Sequence, residues 1–320
     1  MSETKLPVGA LKVRPLQEAE LGEADRIMRV AFGTFLALPD PTAFMGDADY
    51  VRTRWAADPT VALAAEVDGR LVGTNFVTRW GSVGFFGPLT VLPELWDQGV
   101  ARRLLDATMP IFDDWGVTHR GLFTFGHSTK HVSLYQRYGF LPRFLTPVMA
   151  KPAGAGPGAT AWTPLSETAD PEAAIAACSG LTGEIYPGFE VEREIRAVER
   201  QKLGDTVLVH GPSGALDAFA VCHSGPGTEA GSGVCLVKVG AARPGPDAGE
   251  RFGRLIEACE AFTTHRGAAV VVAGVNTARR DAYGALLDRG FRAELIGVTM
   301  HNAADEGYHH PGAWVIDDWR

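Results

Sequence analysis

Cysteine is scarce in this chain of 320 residues. The four present, Cys178, Cys222, Cys235 and Cys259, all lie in the second half, and none forms a C-x-x-C pair. That excludes a disulfide framework and offers no zinc spacing. The four are expected to be reduced, mostly buried thiols, and no metal is expected. His309-His310 has no metal-ligating neighbours in sequence and is expected at the surface. Long apolar runs are also missing. No stretch approaches the roughly eighteen apolar residues of a membrane-crossing helix. The opening MSETKLPVGALKVRP lacks the apolar core of a secretory signal. Positive charge is short, with 30 Lys and Arg against 38 Asp and Glu and a formal net charge of −8. That balance argues against nucleic acid and membrane as partners, and it fits a cytoplasmic protein kept apart by its own charge. No G-x-x-x-x-G-K-[ST] run is present, so there is no loop of that kind for the phosphates of a nucleotide.

What the chain does have is enough apolar residue, 46%, and enough length for two domains of ordinary size. Leu11 to Leu16 reads as a strand, and Glu18 to Phe35 as a helix with Leu21, Ala24, Ile27, Met28, Ala31 and Phe32 on its inner side. The segment from Phe35 to Met45 is unusually apolar for a loop. It is either packed on the core or a wall of a substrate pocket. Asp49 to Ala57 reads as a short helix. Val61 to Val67 and Leu71 to Arg79 read as strands joined by a tight Asp68-Gly69 turn. Val83 to Leu92 reads as one further strand.

The stretch LTVLPELWDQGVARR, from Leu89 to Arg103, organises the rest of the chain. It reads as strand, polar turn and helix. Val100, Leu104, Ile111 and Trp115 share one helix face, opposite Arg102, Arg103, Asp106 and Asp113. Pro110 is expected to kink the helix or mark a restart. A helix that starts after a glycine turn presents free backbone N–H groups that favour an anion, phosphate above all. Leu122 to Phe125 then reads as a buried strand. Ser128 to Tyr138 reads as a helix with Ser128 as its cap, ended by Gly139.

Val91-x-Pro93, Trp96-Asp97-Gln98-Gly99-Val100-Ala101 and Tyr135-Gln136-Arg137-Tyr138-Gly139-Phe140 together resemble the acetyl-CoA site of the GNAT acetyltransferases. That family has V-x-P, then R/Q-x-x-G-x-G/A, then a helix ending in Y-x-x-x-G-F. Trp96 stands where the family prefers Arg or Gln, and Ser128 where many members have Asn. The resemblance covers roughly residues 10–150. It implies an α/β (α+β) fold with a mixed, mostly antiparallel sheet flanked by helices. It also implies direct transfer of an acetyl group from acetyl-CoA to a small-molecule or peptide amine. The cofactor would lie on the backbone of Leu89, Thr90 and Val91, with an N–H near Val91 polarising the thioester. The amides of Asp97, Gln98, Gly99, Val100, Ala101 and Arg102 would hold the pyrophosphate, and Ser128 would add to the same site. Tyr135 would be the general acid. No carboxylate lies on the Val83–Leu92 strand to act as base. His127 is the candidate, read alternatively as a structural histidine.

The second half repeats the first. At the sequence distance from Leu104 to Leu255, Pro93 falls on Pro244, Arg103 on Arg254, Gly139 on Gly290 and Phe140 on Phe291. At the same offset Gly99 becomes Glu250, Ala101 becomes Phe252 and Tyr135 becomes Leu286. The expected arrangement is therefore two tandem GNAT-like domains: 1–152 with the acetyl-CoA site, a Gly/Ala/Pro-rich linker at 153–163, and a degenerate 164–320. The second unit would cover the sheet, close the acceptor pocket or form a homodimer face. Other readings that remain open are transfer of a longer acyl group, transfer to a hydroxyl, and a non-catalytic acyl-CoA binder.

Overall fold

The computed structural model describes residues 11–154, 160–302 and 306–320. The first ten residues and the middle of the expected linker lie outside the described residues. The first half runs β1 (Leu11–Pro15), α1 (Leu21–Phe35), α2 (Val51–Ala57), β2 (Ala62–Val67), β3 (Arg70–Trp80), β4 (Val83–Phe86), β5 (Thr90–Val91), α3 (Val100–Trp115), β6 (His119–Thr124), α4 (Thr129–Gln136) and β7 (Phe140–Pro152). The second half runs β8 (Thr163–Pro164), α5 (Pro171–Ile185), α6 (Glu192–Gln201), β9 (Gly204–His210), β10 (Leu216–Gly225), β11 (Gly231–Ala242), α7 (Ala248–His265), β12 (Val270–Gly274), α8 (Arg280–Asp288), β13 (Arg292–Asn302) and β14 (Val315–Ile316). Among the described residues no helix is long and apolar enough to cross a membrane.

Local chemistry explains most of these elements. α1 buries Leu21, Ala24, Ile27, Met28 and Ala31, the helical stripe of its sequence. Asp68 and Gly69 both take positive φ, which closes the β2–β3 hairpin with the twist its strands need. α6 buries Ile195 and Val198 at helical spacing, and Asp170 caps α5 through the Ala173 N–H while Pro171 opens it. Two expectations change. Val83 to Leu92 is not one strand: the ladder breaks at Gly87-Pro88, where proline has no N–H to give. α3 does not restart at Pro110 but runs on to Trp115. Pro110 sits on the exposed side, where water can take the carbonyl it leaves without a partner.

The halves are joined through one sheet, ordered β1-β2-β3-β4-β6-β13-β7-β12-β11-β10-β9-β8. The two last strands are exchanged. β13, from the second half, pairs with β6 of the first, with Val298 opposite Thr124. β7, from the first half, pairs with β12 of the second, with Val272 opposite Ala150. Between them β7 and β13 form an antiparallel ladder from Phe140–Asn302 to Ala150–Arg292. The duplication is visible in register. β4 pairs with β6 from Val83–His119 to Phe86–Leu122. β11 pairs with β12 from Val234–Val270 to Val237–Ala273, the same pairs moved by one fixed offset.

The cores follow the exchange. Val298 and Met300 of β13 pack with Phe86, Leu105, Phe112, Leu122 and Tyr135 of the first half. Trp80, Val83 and Phe85 of the first half pack with α5, α6 and β10 of the second. Met300→Ala should therefore cost about 2–5 kcal/mol. Urea unfolding followed at tryptophans of the two halves should shift as one transition. Two separate transitions, with only the second moved, would show that the shared sheet does not couple them.

Candidate active site

The site begins where two parallel strands part. β4 and β6 are paired as far as Phe86 and Leu122. Beyond the break β5 stays on β3, with Val91 opposite Gly73, while β6 continues towards α4. The gap opens into a cavity of about 970 Å³. The Leu92 N–H donates to Val72 O at 2.9 Å, so antiparallel alternation turns Val91 away from β3. The Val91 carbonyl accepts from Trp96 Nε1 at 2.8 Å, which leaves its N–H facing the cavity. Trp96 thus replaces the expected Arg or Gln with a brace for the turn.

The turn then feeds α3. Gly99 holds φ 83°, a conformation that glycine adopts without strain, and starts the helix. The first backward bond is from Arg103 N–H to Gly99 O, at 3.1 Å. The N–H groups of Val100, Ala101 and Arg102 therefore have no partner within the helix and sit at its positive end. Asp97 reaches across to Lys130 of α4 at 2.7 Å. Ser128 caps α4, accepting from the His131 N–H at 3.5 Å. One face of α4 then carries His131 and Tyr135, four residues apart, and both line the cavity. The Tyr135 ring packs on Phe86 at 5.8 Å, and burial pushes its phenol well above the usual range.

Most of the residues singled out from sequence meet here. Leu89, Thr90, Val91, Asp97, Gly99, Val100, Ala101, Arg102, Ser128 and Tyr135 all line the cavity. Gln98 does not line it: its side chain turns back to Glu94 O at 3.2 Å. His127 is a correction. It precedes the α4 cap, is exposed and does not line the cavity, its ring stacking on Phe35 at 5.6 Å. His131, one turn further on, does line it. Burial and then the nearby Lys130 and His127 hold its imidazole below the usual range. The signal was available, since His131 and Tyr135 are spaced to share a helix face. The apolar 35–45 segment is a wall, through Phe35, Leu36, Phe44 and Met45.

The second half contributes what no local motif could reveal. Glu294 and Leu295 of β13, with Trp319 and Arg320 of the last segment, line the same cavity. That segment is held from beneath by Arg54. Its guanidinium bonds the carbonyls of Gly87 and Arg320 and pairs with Glu229, Nε to Oε1 at 2.9 Å. Lys238 adds a 2.5 Å bond to Glu229. Burial would raise the Glu229 carboxyl, but the two cations outweigh it and hold it far below the usual range.

At the equivalent places in the second half the space is filled. Gly240 and Ala241, which correspond to Leu89 and Thr90, are paired with Ile316 and Val315 of β14. Phe252, in place of Ala101, is buried against Trp314 at 5.2 Å. Arg279, in place of Ser128, is fully buried on Asp317 at 3.0 Å. Leu286 is buried where Tyr135 stands. The other expectations divide. All four cysteines are buried and free. His310 is exposed, but His309 is not, being buried with His119 and His301 at ring distances of 5.3 Å. The closing segment folds back and carries it inside. Among the described residues no cluster of side chains fits a metal ion.

Residues 31–140 match the model of the acetyltransferase (GNAT) family. The chain has the fold of a tandem GNAT protein. Solved structures agree over nearly its whole length. A protein from Pyrococcus horikoshii is 11% identical with a TM-score of 0.69, covering 99% of this chain and 97% of its own. A GCN5-related N-acetyltransferase from Sphaerobacter thermophilus is 18% identical with a TM-score of 0.60, covering 94% and 98%. A tandem GNAT protein from the clavulanic acid biosynthesis pathway is 12% identical with a TM-score of 0.58, covering 93% and 99%. No curated protein matches the chain.

Removing one partner of a buried ion pair strands the other. Glu229→Gln should cost about 3–5 kcal/mol at pH 7. The Glu229 pKa is depressed, so its stabilisation is complete above the ordinary carboxylate range near pH 4 and is lost as pH falls below it. The variant and the wild type should therefore converge in thermal melts taken at progressively lower pH. A gap that stays constant into strong acid would contradict this account.

Proposed function

We propose that the chain is an acetyl-CoA-dependent N-acetyltransferase acting through residues 1–152, with 153–163 as connection and 164–320 as a degenerate second unit. The observation that carries this is the shared cavity. The open strand edge at Val91, the three amides at the start of α3 and Tyr135 all meet it, while the equivalents in the second half are filled. The site suits acetyl-CoA. The Val100, Ala101 and Arg102 amides can take a pyrophosphate, with Arg102 and Arg137 on the same wall.

Acetyl-CoA supplies an activated acetyl carbon with a thiolate leaving group. The Val91 N–H is placed to stabilise negative charge on the thioester oxygen. His131, kept neutral by its surroundings, takes one proton from the acceptor ammonium and passes it to solvent. The neutral amine forms the C–N bond as C–S breaks. Tyr135, kept protonated by burial, gives its proton to sulfur and is restored by the second proton that nitrogen sheds. The products are the amide, the free thiol and one proton released. Much of the rate would come from holding the two substrates in line.

Calorimetric titration of acetyl-CoA should give one site per chain. Gly99→Glu, which copies the residue of the second half, should abolish it; two sites per chain would sink the degenerate-unit reading. Tyr135→Phe should bind acetyl-CoA normally and lose on the order of 10² in kcat. Because the His131 pKa is lowered, kcat/KM should hold until pH falls below about 6.5 and then decline. In His131→Ala that acid limb should disappear. An unchanged limb would remove His131 from the mechanism.

A further inference from the structure

α4 is fastened to the start of α3 at both of its ends. At its first turn Lys130 pairs with Asp97, Nζ to Oδ1 at 2.7 Å, and lies over the Trp96 ring at 5.6 Å. Both charged side chains are mostly exposed, so this brace adds little in water. The other end is different. Just past Gln136, the Tyr138 hydroxyl lies 2.7 Å from Asp106 Oδ1 and 2.9 Å from the Arg102 carbonyl, and its one proton serves both acceptors. Burial and then the Asp106 carboxylate push this phenol above its usual range, so it stays protonated near neutral pH.

This second link joins two parts of the site that lie far apart in sequence. Arg102 supplies one of the three amides left without a partner at the start of α3, and it is the Arg102 carbonyl that Tyr138 meets. On the other side, the Tyr138 N–H donates to the Tyr135 carbonyl at 3.0 Å. Two hydrogen bonds and one side chain therefore connect the residue of the proton donor to the amides suited to phosphate. Tyr138 does not line the cavity, so it acts through these partners and not on a ligand.

The second half shows the same place without an open site. At the same offset Tyr138 becomes Arg289, Arg102 becomes Gly253 and Asp106 becomes Glu257. Arg289 bonds the Ala285 carbonyl of its own helix at 3.5 Å, and Glu257 accepts from Thr160 at 2.7 Å. Among the described residues none of the three bonds another. The link is made where the site is open.

The co-substrate makes this spacing matter. Acetyl-CoA carries its phosphates and its thioester on one flexible arm. Both ends bind at once only if their two sites stand at a distance the arm can span, and the gain from doing so falls when that distance is loosened. We propose that Tyr138 is a positioning residue: it holds Tyr135 in register with the amides of Val100, Ala101 and Arg102, so that a single acetyl-CoA meets both. This rests on the acetyltransferase reading above.

Tyr138→Phe removes the hydroxyl and keeps the half-buried ring. Kd values would be measured on the full chain by calorimetric titration of acetyl-CoA, and by displacement of acetyl-CoA with two partial ligands, adenosine 3′,5′-bisphosphate and S-acetylpantetheine. The variant is expected to bind acetyl-CoA more weakly by about threefold or more, and each partial ligand within about twofold of the wild type. An unchanged Kd for acetyl-CoA overturns the proposal. So does an equal weakening of either partial ligand, which would make Tyr138 a support of that one end alone. Partial ligands that do not displace acetyl-CoA from the wild type also overturn it, since there would then be no two ends to register. Each of these results leaves the acetyl-CoA reading standing. Failure of the wild type to bind acetyl-CoA overturns both.

Discussion

The ladder between β7 and β13 is the interaction on which the rest of the molecule depends. Each of these strands is the last long strand of its own half, and each completes the sheet of the other. Met300 fills the core under α3 and α4, and Met149 fills the core under α7 and α8. Neither half can bury its apolar face without the strand the other lends. At the centre of the ladder the Thr146 and Thr299 hydroxyls bond each other at 2.5 Å, so even the buried polar groups there are satisfied across the exchange. The same ladder brings Glu294 and Leu295 to a cavity otherwise built from the first half.

From one duplicated frame the two halves took opposite courses at the same place. In both, a parallel pair of strands separates beyond four paired residues. In the first half the gap stays open, because Gly87-Pro88 interrupts the ladder and, among the described residues, no other strand pairs with β5 on that side. In the second half β14 closes it, Trp314 covers Phe252, and Arg279 pairs with Asp317. One closing segment thus seals one site and, shortly beyond β14, floors the other with Trp319. The loss of the glycine turn at Glu250 and the arrival of β14 are consistent with each other: a helix that begins earlier, at Ala248, leaves no turn for a phosphate to approach.

The buried charges between the halves are better understood as positioning than as stabilisation. Taking Arg54, Glu229 and Lys238 out of water costs much of what their attraction returns. What the cluster supplies is direction. Arg54 can satisfy the Gly87 carbonyl, the Arg320 carbonyl and Glu229 only in one arrangement of the two halves. That arrangement holds the strand break and the cavity floor in fixed relation.

The sequence by itself determined the local machinery. Gly99 and the amides after it, the Ser128 cap and Tyr135 were legible because each depends on near neighbours: a φ value, a cap, a helix spacing. The duplication was legible for a related reason, since equal loop and element lengths preserve a constant offset. Tertiary structure decided everything that depends on residues far apart in the chain. It removed His127 from the cavity and put His131 there, because the direction of α4 relative to β6 is set by packing. It buried His309, and it chose which strand lies beside β6. Strand exchange leaves no trace in a one-dimensional pattern, since β7 and β13 carry similar apolar sequences and either could serve either sheet. Only the lowest free energy of the whole fold, with both cores filled, chooses between them.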